Sequence, residues 1–211
     1  GMNHTGEISE LSRLAEPNIA MVLKIGAAHI GLLGSLPKIA EAKLEIIDGL
    51  KPGGTLILNS DDQVLMTAFD QQKLADKNIN KKTFGQEGAP DLKIVSSRLN
   101  DSLQLVLNLE VLGKVEQVET RLIGLHNAHN VAAAILAART LVPDLSWDQI
   151  RVGLKNFTPP DGRLKLRRVG PTRVLIDDAY NANPTSMAAM LTVAGDLVAQ
   201  GGKVGLLVGD M

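Results

Sequence analysis

Short apolar runs alternate with longer stretches of helical spacing as far as residue 90. The predicted strands are 18–25, 55–58 and 82–84, and the predicted helices are 5–16, 35–50 and 62–76. Ser35 is a suitable N-cap for the second helix, and Pro52 with two following glycines ends it. Strands that alternate with helices predict a mostly parallel sheet covered by helices.

The periodicity changes between residues 91 and 123, where apolar and polar residues alternate at every second position. This spacing is typical of half-buried antiparallel strands, and turn residues at 100–102 and 113–114 separate the runs. Helical spacing returns at 127–141 and again after Ser146. The pattern therefore predicts an α/β fold, a mostly parallel sheet with flanking helices and an antiparallel β insertion.

A stiff, helix-breaking segment at 159–162 marks the predicted domain boundary, so that 1–160 and 161–211 are expected to be separate domains. Beyond it, 174–176 predicts a buried parallel strand. Asn183 and Pro184 then predict the start of a helix that runs to Gly201. The apolar run 203–208 predicts a second buried strand. Together they form the first strand-helix-strand unit of a Rossmann-like domain.

Composition excludes several classes of function. The net charge of -1 and the 2% of aromatic residues give neither a basic surface nor a stacking platform for nucleic acid. Zero cysteines exclude disulfides and thiolate chemistry. The chain has no 18-residue apolar stretch, and its start shows no basic segment followed by an apolar one. We expect a cytoplasmic protein without a membrane span.

The polar residues that follow the predicted strand 174–176 are the first candidates for chemistry. Asp177, Asp178, Tyr180 and Asn181 lie where a parallel strand would end, which is where ligands bind in open α/β sheets. An ordinary helix cap with a solvated turn would explain the same residues. The segment 177–187, Asp-Asp-Ala-Tyr-Asn-Ala-Asn-Pro-Thr-Ser-Met, resembles a signature of the Mur ligases of peptidoglycan synthesis.

Lys43 falls on the apolar stripe of the predicted helix 35–50. It either extends to solvent, or lies partly buried with its charged form disfavoured and its amine more nucleophilic. The segment Ala42–Ile46 is similar to the Mur ligase segment whose lysine is carbamylated by CO2. The segment from Ile25 to His29 resembles the family's metal-binding histidine segment, except that Lys24 replaces the usual asparagine. The resemblance implies that His29 and carbamylated Lys43 hold Mg2+, although a lone loop histidine is more commonly a hydrogen-bonding residue.

Two further segments carry the resemblance. Residues 124–130 are similar to the family's Gly-x-His-Asn-x-x-Asn, which implies that Asn130 contacts adenine and that Asn127 is a cap or a second contact. Gly162-Arg163 resembles the pair whose arginine reaches the ATP phosphates. The same resemblance assigns the ribose hydroxyls to Asp178 and places Tyr180 and Asn181 near nucleotide and acceptor. It implies Lys43, His29 and Arg163 as the catalytic residues.

The resemblance implies an ATP-dependent amide ligase that adds D-alanyl-D-alanine to UDP-N-acetylmuramoyl-tripeptide through an acyl phosphate. The full-length enzyme is expected to be a monomer. The chain contains no phosphate loop of the Gly-x-x-Gly-Lys-Thr kind, so we expect a fragment without turnover of its own. The alternatives are a related Mur or folylpolyglutamate-type ligase, which the turn at 177–187 disfavours, and a noncatalytic nucleotide-binding module. A phosphate loop encoded upstream would exclude the module.

Overall fold

The structure is a computed structural model that describes residues 2–27, 30–72, 78–170, 173–199, 201 and 203–209. Its helices are α1 (Glu7–Ala15), α2 (Ile30–Leu33), α3 (Leu36–Leu44), α4 (Gln63–Asp70), α5 (Asn127–Leu141), α6 (Trp147–Asn156) and α7 (Pro184–Ala199), with a 3-10 turn at Glu45–Gly49. Its strands are β1 (Ile19–Val22), β2 (Thr55–Asn59), β3 (Asn80–Gly85), β4 (Leu92–Leu99), β5 (Gln104–Val111), β6 (Lys114–Ile123), β7 (Lys165–Arg168) and β8 (Val174–Asp177).

Six strands form one sheet in the order β1-β2-β3-β4-β5-β6. The first four pair in parallel, with Ile19 opposite Thr55 and Thr55 opposite Asn80. The turns at 100–103 and 112–113 are too short for a parallel crossover, so β4, β5 and β6 form a meander of antiparallel hairpins. The predicted α/β class, with its parallel sheet and antiparallel insertion, is confirmed.

The parallel part of the sheet has its core around β2, all five residues of which are buried. Apolar side chains from α3 and α4 cover this strand, among them Ile39, Leu44 and Leu65, which are at most 1% exposed. A strand buried on both faces reads in sequence as a continuous apolar run, which is why Thr55 to Leu58 could be predicted. The strand therefore ends in a fixed position, and the polar residues that follow it are held there.

The predicted helix 35–50 is a true α-helix only as far as Leu44. The 3-10 turn that follows serves α1, because the Glu45 carboxylate accepts hydrogen bonds from the backbone N–H groups of Gly6 (2.8 and 2.9 Å) and Ser9 (3.3 Å). N–H groups at the start of a helix have no carbonyl partner within the helix, and Gly6 has no side chain that could cap them. Glu45 supplies the missing acceptor. The Ser35 cap is confirmed, with its hydroxyl oxygen accepting from the Lys38 backbone N–H.

The segment beyond the predicted boundary differs from expectation in two ways. Strand β8 pairs antiparallel with β7, with Ile176 opposite Leu166, and Leu175 is 53% exposed, so the prediction of a buried parallel strand is wrong. The connection from Arg168 to Val174 is too short for a parallel crossover. The predicted strand at 203–208 is also absent from described residues 203–209, all of them exposed, because an apolar run becomes a strand only beside a partner strand.

The chain divides into two compact units by internal contacts. One consists of Gly1–Ser96, Asn108–Glu116 and His129–Ser146, and the other of Ser97–Leu107, Gln117–Ala128 and Trp147–Met211. This division passes through strands of the sheet, so the boundary between residues 160 and 161 stays a prediction. Within the part of the chain that the structure describes, no helix has the length and apolar character needed to span a membrane.

Candidate functional site

Four polar residues at the carboxyl end of β2, Asn59 to Asp62, connect the ends of neighbouring strands. The Asn59 side-chain amide donates to the carbonyl of Leu23, just beyond β1, at 3.0 Å. The Ser60 hydroxyl donates to the carbonyl of Phe84, near the end of β3, also at 3.0 Å. Carboxyl ends of parallel strands meet at one edge of a sheet, and these side chains join three of them there.

Asp62 connects helix α4 to the segment that leaves β1. Its Oδ1 accepts from the Leu65 backbone N–H at 3.0 Å, which makes it the N-cap of α4. Its Oδ2 accepts from the Ile25 backbone N–H at 2.6 Å. One carboxylate therefore caps a helix and fixes the backbone that leads towards residue 29.

Lys43 lies against the same segment. Its side chain is half-buried, and its Nζ donates to the carbonyl of Lys24 at 2.7 Å. Burial lowers the pKa of Lys43, and the nearby negative charge of Asp62 offsets only part of that effect. Of the two alternatives left by the sequence, the partly buried lysine is the one observed. His29 lies outside the described residues.

Asp61 binds the start of α5. Its Oδ2 lies 2.7 Å from Nε2 of His129 and accepts from the Gln86 backbone N–H at 2.8 Å, and its Oδ1 accepts from the Glu87 N–H at 3.0 Å. Although burial alone would raise the pKa of Asp61, the hydrogen bonds from Glu87, His129 and Gln86 together lower it. The ionised carboxylate can only accept, so His129 Nε2 carries the proton in this contact.

Helix α5 begins and ends where the sequence predicted. At its start, the Asn127 side-chain amide donates to the carbonyl of Ile123, the last residue of β6, at 2.9 Å, and lies 3.3 Å from Nε2 of His126. Asn127 therefore joins strand and helix. Asn130 is exposed on the first turn of the same helix. Contacts of both residues with a nucleotide stay a prediction.

Arg163, Tyr180 and Asp178 lie together around Gly162. The Arg163 guanidinium carbon lies 4.0 Å from the centre of the Tyr180 ring. The Tyr180 backbone N–H donates to the Gly162 carbonyl (3.1 Å), and the Asp178 carboxylate accepts from the Leu164 N–H (3.2 Å). Gly162 has φ of 72°, and a Cβ there would lie 2.9 Å from the Tyr180 nitrogen, so the turn requires glycine. In the same segment, the Asn181 side-chain oxygen accepts from the Ala182 N–H.

A family model, the Mur ligase middle domain, matches residues 1–138. The chain belongs to the Mur ligase family. A UDP-N-acetylmuramoyl-tripeptide--D-alanyl-D-alanine ligase of Bacillus subtilis is 35% identical over all of this chain, which covers 43% of that protein. The chain thus spans less than half the length of this curated relative.

Solved structures of Mur ligases share the fold. A crystal structure of MurF from Acinetobacter baumannii aligns with a TM-score of 0.78 at 32% identity, over 92% of this chain and 40% of that one. MurF of Thermotoga maritima, solved in complex with ADP, aligns with a TM-score of 0.75 over 90% of this chain and 42% of that one. At 23% identity the second likeness shows the fold alone.

The Mur ligase resemblance implied a Mg2+ site at His29 and Lys43, and the residues described in this structure do not supply one. Outside the undescribed positions, no group of three or more His, Cys, Asp or Glu residues is arranged to hold a metal ion. A protonated lysine amine repels a cation, so unmodified Lys43 is no ligand. The site requires the carbamate and His29, both beyond what the structure describes.

Sequence reasoning gave no role to Asp61, Asp62 and His129, which organise this edge of the Mur ligase sheet. Asp61 and Asp62 follow a buried strand, as Asp177 and Asp178 were predicted to do, so the same strand-end rule could have selected them. His129 had no such signal. Its partner is 68 residues away in the chain, and a single sequence does not reveal a pairing at that distance.

On the prediction that Arg163 binds ATP phosphate, we expect Tyr180→Ala in the full-length protein to weaken ATP binding, because the ring holds the Arg163 guanidinium in place. An exposed cation–π contact contributes about 0.5–1 kcal/mol, which corresponds to about two- to fivefold in affinity. Tyr180→Phe keeps the ring and should bind ATP like the parent protein. Calorimetric titration measures both, and equal losses in the two variants would show that the hydroxyl, not the ring, is needed.

Proposed function

We propose that this chain is the central region and adjoining segment of an ATP-dependent amide ligase of peptidoglycan precursor synthesis. In the full protein the γ-phosphoryl group of ATP is transferred to the carboxylate of UDP-N-acetylmuramoyl-tripeptide, and ADP is released. The amine of D-alanyl-D-alanine then attacks the acyl carbon, loses a proton and displaces inorganic phosphate. The product is an amide bond.

The observation that carries this proposal is the alignment with the Bacillus subtilis ligase over the entire chain, which includes the segment 177–187. Support also comes from the cluster at Gly162, where the guanidinium of Arg163 is already stacked. A stacked, planar guanidinium has lost part of its freedom and can bind phosphate oxygens in a bidentate manner at a smaller entropic cost.

Within this proposal each residue has a separate task. Asn130 contacts adenine, with Asn127 as a second contact or as the residue that fixes the helix start, and Asp178 binds the ribose hydroxyls. Arg163 binds ATP phosphate, while Tyr180 and Asn181 lie near nucleotide and acceptor. His29 and carbamylated Lys43 hold Mg2+, which would neutralise phosphate charge when bound. The full ligase acts in the cytoplasm as a monomer.

The test uses the full-length protein that contains this chain. Phosphate release is measured with ATP, UDP-N-acetylmuramoyl-tripeptide and D-alanyl-D-alanine, and the mass of the product is determined by mass spectrometry. We expect turnover only with all three substrates. Turnover with a single amino acid, or with a folate and glutamate in place of the natural pair, would indicate one of the related ligases, and ATP binding without any turnover would indicate the noncatalytic nucleotide-binding module.

Asn130→Ala provides the residue-level test of the same proposal. Loss of one neutral hydrogen bond costs about 1 kcal/mol, so ATP affinity should fall about fivefold while affinity for the UDP-linked substrate stays unchanged. Separate calorimetric titrations with the two ligands distinguish these effects. Equal loss for both ligands would point to a damaged helix rather than to an adenine contact.

A further inference from the structure

The carboxylate of Asp61 is the point at which three parts of the sheet edge meet. It follows β2, accepts two backbone N–H groups from the turn after β3, and pairs with His129 of α5. Both side chains are mostly buried, with 19% of Asp61 and 30% of His129 exposed. A carboxylate held by two amides cannot turn away from the imidazole without losing hydrogen bonds, so the position of the acceptor is fixed by the strands.

His129 is fixed from a second direction. Its ring lies edge-on against Phe84, with ring centres 6.3 Å apart and planes at 64°, and Phe84 is completely buried. The ring therefore has an apolar contact on one side and a charge-assisted hydrogen bond at Nε2. These two contacts help to fix the rotation of α5 about its axis and the distance of its first turn from β2.

We propose that His129 is a positioning residue for nucleotide binding, which acts through Asp61 to fix the first turn of α5. The inference rests on the proposed function, in which Asn130, the next residue along, contacts adenine. His129 itself touches no ligand. Its role is to hold the backbone that carries Asn130 in register with the sheet edge formed by β2 and β3.

The first turn of a helix needs such an anchor more than its middle does. The N–H groups of a first turn have no carbonyl partners within the helix, and those of Asn127 and Ala128 donate to the loop carbonyls of Gly124 and Leu125 instead. Farther along, the buried side chains of Val131, Ile135 and Leu136 hold the body of the helix. Placement errors of about 1 Å at a binding group have large effects on ligand recognition. A helix start that moves by a fraction of its 1.5 Å rise per residue would therefore misplace Asn130.

The experiment measures ATP and UDP-substrate affinity, kcat and both KM values of the full-length protein in a double-mutant cycle of His129→Ala and Asp61→Ala. We expect each single variant to raise the Kd and KM for ATP about three- to tenfold, since a hydrogen bond to a charged group is lost and part of its free energy is transmitted to the ligand. The KM for the UDP-linked substrate should stay within about twofold. The double variant should be no worse than the poorer single one, because both remove the same contact.

Two further variants make the result specific. His129→Gln places an amide N–H near the position of Nε2 and should restore ATP affinity to within about twofold of the parent. His4→Ala removes a histidine from an exposed pair with Glu7 and should change neither affinity nor kcat, as expected for a surface pair.

The outcomes separate this inference from the proposed function. Unchanged ATP affinity in His129→Ala, equal loss for ATP and the UDP-linked substrate, or additive losses in the double variant would each overturn the positioning role. If His129→Ala alone has no effect while Asn130→Ala still weakens ATP binding, the proposed function stands without it. A parent protein that binds no ATP would instead remove the proposed function, and this inference with it.

Discussion

Replacing Gly49 with alanine is expected to lower the free energy of unfolding by about 3 kcal/mol or more, the upper end of the usual cost of overpacking. A Cβ at this position would lie 2.0 Å from both the carbonyl carbon and the carbonyl oxygen of Ser12. Those are backbone atoms of α1, so no change of rotamer relieves the overlap. The helix must move away from the 3-10 turn, and the hydrogen bonds from Gly6 and Ser9 to Glu45 stretch with it.

Urea unfolding of the 211-residue chain measures this effect, with Gly31→Ala as the matched control. Gly31 belongs to the same compact unit and has no atom within 4 Å of the position of its Cβ, so alanine there should be neutral or slightly stabilising. A Gly49→Ala variant that unfolds at the same urea concentration as the parent protein would show that α1 is not held in the observed position.

The close approach of Gly49 to the Ser12 carbonyl could not be predicted from the sequence, although helix α1, which contains Ser12, could be. Residues 5–16 have clear helical spacing, and the structure places α1 at Glu7–Ala15. Nothing in that spacing says which surface the helix packs on, because a long-range contact of glycine with a backbone carbonyl leaves no local pattern. The sequence predicted the element, and tertiary packing determined its neighbour.

Local signals, helical spacing for α5 and a capping residue for α7, explain the most accurate predictions. Helix α5 was expected at 127–141 and occupies Asn127–Leu141, and α7 begins at Pro184 after Asn183, whose side-chain oxygen accepts from the Ser186 N–H. Caps are interactions between residues three apart, so they are encoded locally. Strand partners are not, which is why β8 was predicted as buried and parallel although it pairs with β7 in a partly exposed antiparallel hairpin.

Residues of the candidate site could be predicted where a local motif marks them, but their contacts with distant parts of the chain could not. Arg163 and Tyr180 were both selected from motifs, and the structure brings them into contact. Their stacking could not be predicted, because it depends on the antiparallel pairing that places residue 162 beside residue 180. The Asp61–His129 pair was missed entirely, since each residue alone resembles a solvated polar side chain.

Lys43→Ala in the full-length protein is expected to abolish most of the proposed ligase activity, and added short carboxylates should restore part of it. Burial lowers the pKa of Lys43, so its neutral, CO2-reactive amine is more abundant at a given pH than that of a solvated lysine. The free-energy cost of burying the ammonium is fully present below the folded-state pKa of Lys43 and disappears as pH rises towards the ordinary lysine pKa. Carbamate formation increases over the same pH range.

The contact at Lys43 is compatible with that modification. A carbamate nitrogen keeps one N–H, which can still donate to the Lys24 carbonyl, whereas its new carboxylate would lie near Asp62 and require a compensating cation. In this chain alone we expect an unmodified amine, and in the full protein with ATP and Mg2+ a carbamate. Carbon-13 NMR with labelled bicarbonate distinguishes the two states. Full activity of Lys43→Ala at low bicarbonate would contradict the carbamate, because the amine would then only fix the Lys24 carbonyl, a contact that alanine removes without chemical consequence.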